Sequence, residues 1–144
     1  MANTLSIIAI VISLFTLFIE FYRDVKINKT NLKSEYFKQL YFEILLEKIP
    51  KSRNNLVFES NGFLLNYDAF IGLFFMILDK SMYYKYTDSK YYYNLKESIE
   101  SLEDYVFEAA NVSFSVELRQ SILNEIDERV ENIFSVLTDK YEKG

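Results

Sequence analysis

The chain has no cysteine and no histidine. These absences remove disulfides, Cys/His zinc sites, cysteine nucleophiles and any mechanism with a histidine acid or base. Tryptophan is missing as well, and 144 residues hold only three glycines and one proline. So few backbone breakers argue against an all-β sandwich and against disorder, and favour helices. No Walker A loop, GxGxxG, GxSxG or zinc-protease helix occurs. The basic run of a nonspecific nucleic-acid binder is also missing, so a nucleic-acid partner is not expected.

What is present is apolar and aromatic. Half the residues are hydrophobic, with 13 Phe and 12 Tyr. The length suits one small domain. The net charge of −5 is uneven. Residues 1–95 carry 11 Lys/Arg against 9 Asp/Glu, and residues 96–144 carry 5 against 12. The acidic C-terminal third reads as a solvated helical surface.

Residues 2–19 contain no charged side chain. As a helix this run rises about 27 Å, close to the thickness of a bilayer core. Phe21 and Tyr22 follow, then Arg23 and Lys26, as interfacial anchors would. No basic residue precedes the run, so a cleaved signal peptide is not expected. The sequence therefore predicts a transmembrane anchor helix over residues 1–28 and a cytoplasmic helical bundle over 29–144. The lysines and arginine after the span place the N-terminus outside and the C-terminus in the cytoplasm of a bacterial inner membrane. The lipid bilayer is the first expected partner.

Helical periodicity predicts the rest. A helix over about 31–49 carries Phe37, Leu40, Tyr41, Ile44 and Leu45 and ends at Pro50. Residues 55–66 read as either a short β-hairpin around Ser60-Asn61-Gly62 or an extended loop. The run from Phe70 to Leu78 predicts a core helix over about 67–84, buried all round. Asp88 is a candidate cap for a helix over about 89–110, and Ser115 for the last one. The expected stripes are Tyr92, Leu95, Ile99, Leu102, Val106 and Ala109, then Leu123, Ile126, Val130, Ile133, Leu137 and Tyr141. The fold class is all-α: an anchor helix followed by a small four-helix bundle.

Within the anchor, Ala2, Ser6, Ala9, Ser13, Thr16 and Glu20 form a seam of small and polar residues at heptad spacing. Small residues let helices approach closely in lipid, and Ser and Thr hydrogen-bond across the contact. The seam has three readings: incidental small residues on a lone anchor, a homo-oligomeric contact, or the lining of a water-filled path. In a ring, Glu20 would form a carboxylate collar that favours cations.

A second cluster is Tyr83, Tyr84, Tyr86, Tyr91, Tyr92 and Tyr93, with Lys80, Lys85 and Lys90 among them. It reads as helix-corner packing or as the surface for a cytoplasmic protein partner. The acids Glu97, Glu100, Glu103 and Asp104, and Asp127, Glu128 and Glu131, read as exposed helix faces. No catalytic, cofactor or metal site is expected, and the chain is not read as an enzyme.

One spacing looks catalytic: Arg119-Gln-Ser-Ile-Leu-Asn124. A small helical bundle with this spacing resembles a HEPN domain, whose ribonucleases carry Arg-x4–6-His. Arg119 matches the arginine, and Asn124 stands where the family has histidine. An N-terminal anchor joined to such a bundle is similar to the membrane accessory proteins of Cas13b-type CRISPR systems. That resemblance implies membrane rings that disturb the membrane in antiphage defence, with Arg119 and Asn124 as a degenerate pair that does not cleave RNA.

Overall fold

The computed structural model describes the backbone of residues 2–143 and the side chains of residues 16–28, 30–31, 34–38, 40 and 42–142. The chain is all-helical apart from a two-stranded hairpin. Two compact units divide it, residues 1–38 and 39–144.

The first unit is a single helix, α1, Ala2–Lys38. It continues past the expected end near residue 28. Residues 28–31 contain no Gly or Pro to stop it, and Thr30 Oγ1 donates to the carbonyl of Lys26 at 3.0 Å, inside the helix.

The second unit opens on a π-helical stretch, Gln39–Lys48, followed by α2, Ile49–Asn54. This replaces the expected single α-helix. The buried residues Leu40, Ile44, Leu45 and Ile49 recur at steps of four and five, which suits the wider π turn. Lys48 Nζ lies 2.6 Å from Glu43 Oε1, five positions away, which suits it too. That lysine lowers the Glu43 pKa by its hydrogen bond. Pro50 does not end the helix as expected. It sits in the first turn of α2, where its missing N–H costs little.

The hairpin reading of residues 55–66 holds. Strand β1, Val57–Phe58, pairs antiparallel with β2, Leu64–Leu65, placing Val57 opposite Leu65 and Phe58 opposite Leu64. Gly62 takes φ +92° in the turn and donates its N–H to Glu59 at 3.0 Å. The turn sits against Ser113 and Phe114: the Phe114 N–H donates to the Gly62 carbonyl at 3.0 Å, and Ser113 Oγ to the Asn61 carbonyl.

Helix α3, Tyr67–Lys80, stops earlier than expected. Ser81 is fully buried and its hydroxyl bonds the Ile77 carbonyl at 2.7 Å, after which α4 runs Met82–Thr87. Nor is α3 buried all round. Phe70, Ile71, Phe74, Ile77 and Leu78 are buried, while Met76 and Gly72 are exposed, because its neighbours cover only one face.

Helix α5, Ser89–Ala110, and helix α6, Val116–Lys143, are where the sequence places them. The expected α5 stripe is buried throughout. On α6, Ile126, Ile133 and Leu137 are buried, Leu123 and Val130 are half-buried, and Tyr141 is exposed near the end of the helix. The core of this unit sits where α5 packs on α6, α3 and α4. Fully burying side chains of this size contributes about 1.5–3 kcal/mol each before entropy is counted.

Candidate functional site

The six tyrosines meet at the corner between α4 and α5, but they divide by role. Asp88 leaves helical geometry at φ −152° and caps α5 by accepting the Tyr91 N–H at 3.2 Å. That turn sends Tyr84, Tyr91 and Tyr92 inward and leaves Tyr83, Tyr86 and Tyr93 exposed. Tyr84 and Tyr91 meet edge to face at 5.0 Å between ring centroids. Tyr92 points its hydroxyl at Met82 Sδ, 3.3 Å away.

Lys140 of α6 closes this corner. Its Nζ lies 4.9 Å from the Tyr84 ring centre, 5.4 Å from that of Tyr91, and 2.5 Å from Asp88 Oδ2. The lysine therefore has two ring faces and a carboxylate as partners. The Lys140 hydrogen bond, then that of the Tyr91 N–H, holds the Asp88 carboxyl below its ordinary range. A groove of about 300 Å³ runs beside the pair, between Lys90 and Asn94 on α5 and Val136 on α6. Sequence reasoning missed Lys140. It lies 52 residues from Asp88, and nothing local marks it.

A second groove, about 420 Å³, lies further along α5. Glu97, Glu100, Asp104 and Glu108 line it, with Ser101, Tyr105 and Arg129. The Arg129 guanidinium stacks 4.6 Å above the Tyr105 ring, donates to Ser101 Oγ at 2.6 Å and pairs with Glu125 at 2.9 Å. Its Nε is buried without a hydrogen bond. Burial raises the Tyr105 phenol above its usual pKa, with Glu125 adding to the effect. Glu100 is paired with Lys96. Asp127 belongs elsewhere: it takes Arg53 of α2 in a two-point contact at 2.5 and 2.8 Å. Among the described residues no group of three acids is placed to hold a metal ion.

Arg119 and Asn124 engage different partners. Arg119 donates to the carbonyls of Phe114 at 3.2 Å and Ser60 at 3.3 Å, and lies 5.6 Å over the Phe58 ring. It ties the hairpin to the start of α6. Asn124 accepts from Gln120 at 2.8 Å.

On α1, Thr16, Glu20, Phe21, Tyr22, Arg23 and Lys26 are exposed. The side chains of Ala2, Ser6, Ala9 and Ser13 lie outside the described residues, so most of the expected seam does too. Among the described residues no helix is long and apolar enough to cross a membrane. No family model matches the chain, and no curated protein or solved structure matches it.

Proposed function

We propose that this protein is a non-enzymatic membrane effector. It self-associates through α1 and permeabilises or depolarises the bacterial inner membrane, in the service of antiphage defence. One observation carries the reading. On α1, Leu17 is 61% exposed, Phe18 71% and Phe21 70%, with Ile19 and Tyr22 exposed beside them. Large apolar side chains in such a row are costly in water and favourable in lipid or against other copies. In the sequence, the run of residues 2–19 holds no charged side chain. In this reading the bundle is HEPN-like in shape alone, and Ala2, Ser6, Ala9, Ser13, Thr16 and Glu20 face neighbouring copies or the path between them. Induced expression should collapse the membrane potential, read with a voltage-sensitive dye. An intact potential at full expression in the membrane fraction contradicts this.

A second reading rests on the exposed half of the tyrosine corner. Tyr86 is 81% exposed and Tyr83 and Tyr93 more than half exposed, beside Lys85 and Lys90. Aromatic and basic groups suit a protein interface. Here α1 is a tether, and the corner holds a cytoplasmic protein. Replacing residues 2–19 by a polyleucine span separates the two: a tether keeps its function and an effector loses it.

A further inference from the structure

Beyond its uncharged run, α1 divides its charges by side. At about 100° per residue, Arg23, Lys26, Lys29 and Lys33 fall within one sector of about 120°. Glu20, Asp24 and Glu35 fall within about 60° on the other side, roughly 160° away from centre to centre. The basic side holds no acid, and Lys38, at the end of α1, is the one base on the acidic side. Glu20, Arg23, Asp24, Lys26 and Glu35 are exposed. Opposite charges stand three residues apart at Glu20–Arg23 and Glu35–Lys38, yet neither spacing forms an ion pair. Like charges stand three or four residues apart at Glu20–Asp24, Arg23–Lys26, Lys26–Lys29 and Lys29–Lys33. Such like-charge spacings destabilise a lone helix.

A parallel neighbour relieves this conflict. Place the basic side of one α1 against the acidic side of the next, with no shift along the axis. Positions 23 and 26 then stand within about 3 Å in height of the neighbour's Asp24, and position 33 within about 3 Å of its Glu35. Opposite charges meet at both ends of the stretch. Anchors that cross the bilayer in one direction supply the parallel orientation. The two sides that meet are different, so the contact is head-to-tail and repeats from copy to copy.

We infer that a second copy of this chain docks its acidic α1 side on the basic α1 side of the first, parallel and unshifted. The inference rests on the self-association reading above and deepens it by naming the contact.

The chain has no cysteine, so introduced ones are the sole thiols. Thr30 falls on the basic side and Asn31 on the acidic side, and both are uncharged and exposed. Adjacent Cα atoms are about 3.8 Å apart, closer than an ordinary disulfide spans, so this pair does not close within one chain. The test oxidises full-length Thr30→Cys/Asn31→Cys in mild detergent. A ladder of covalent oligomers is expected, with no cross-link in either single variant. Covalent dimers alone mean a two-fold contact and overturn the head-to-tail arrangement, as does cross-linking of Thr30→Cys by itself. No cross-link, with wild type still oligomeric by mass, overturns this contact and leaves self-association in the membrane standing. A monomeric wild type overturns both. Charge reversal gives a second readout: Lys26→Glu and Asp24→Lys each shift the mass toward monomer, and the double variant restores the oligomer. A double variant as weak as the singles overturns the pairing. So does an Asp24→Lys that strengthens association, which would place anionic lipid headgroups against α1 instead.

Discussion

Asp88 and Lys140 meet at 2.5 Å across 52 residues of sequence, and the same carboxylate caps α5. One side chain therefore fixes both the start of α5 and the position of the C-terminal part of α6. Replacing Asp88 by Ala removes the cap and leaves Lys140 with only its two rings. The expected loss is about 1 kcal/mol from the cap alone, measured by urea denaturation. Added salt should narrow the difference from wild type, because the ion pair is partly solvated.

The pH dependence has a definite sign. Asp88 has a folded-state pKa below its ordinary 3.8, mainly through Lys140. The stability it contributes is present above 3.8 and is lost as pH falls through the lower folded value. Wild type should therefore lose stability more steeply below pH 3.8 than Asp88→Asn, in melting curves taken across the acid range. Parallel curves for the two proteins would contradict the assignment.

Arg53 and Asp127 join α2 to α6, and Arg53 also donates to the Leu123 carbonyl at 3.3 Å. The arginine side chain is only 20% exposed. Arg53→Met should cost about 1 kcal/mol, at the low end for charge-assisted bonds because Asp127 is half solvated. A double-mutant cycle with Asp127→Asn should show coupling, whereas additive losses would mean that the two act separately.

Gly62 is required by conformation and by space. Its φ is +92°, and a Cβ built there would lie 2.5 Å from the Phe114 carbonyl oxygen. Gly62→Ala should destabilise by more than about 1 kcal/mol and loosen the hairpin from α6. Faster amide exchange at Phe114, whose N–H donates to the Gly62 carbonyl, would report it.

Much of this fold can be read from local chemistry. The three-and-four spacing of Leu95, Ile99, Leu102 and Val106 defines α5, and Asp88 marks its start. Ser60-Asn61-Gly62 between apolar pairs marks the hairpin. Three features could not be read this way. The π stretch has a four-and-five spacing that helical templates miss at Leu40, Ile44, Leu45 and Ile49. The break at Ser81 depends on burial of a small hydroxyl against Ile77, not on a breaker residue. Lys140, Arg53 and Arg129 find their partners only after distant helices meet, so no local pattern names them. The tyrosine cluster was visible as a run, but its division into buried and exposed halves follows from the turn at Asp88.

The proposed function depends on assembly of this chain in a membrane. The most direct measurement is the mass of the full-length protein in mild detergent, by light scattering with the detergent contribution subtracted. The account predicts a discrete oligomer larger than a dimer, which Ser13→Leu or Glu20→Ala would reduce. A monomer or dimer, unchanged by either substitution, would contradict it.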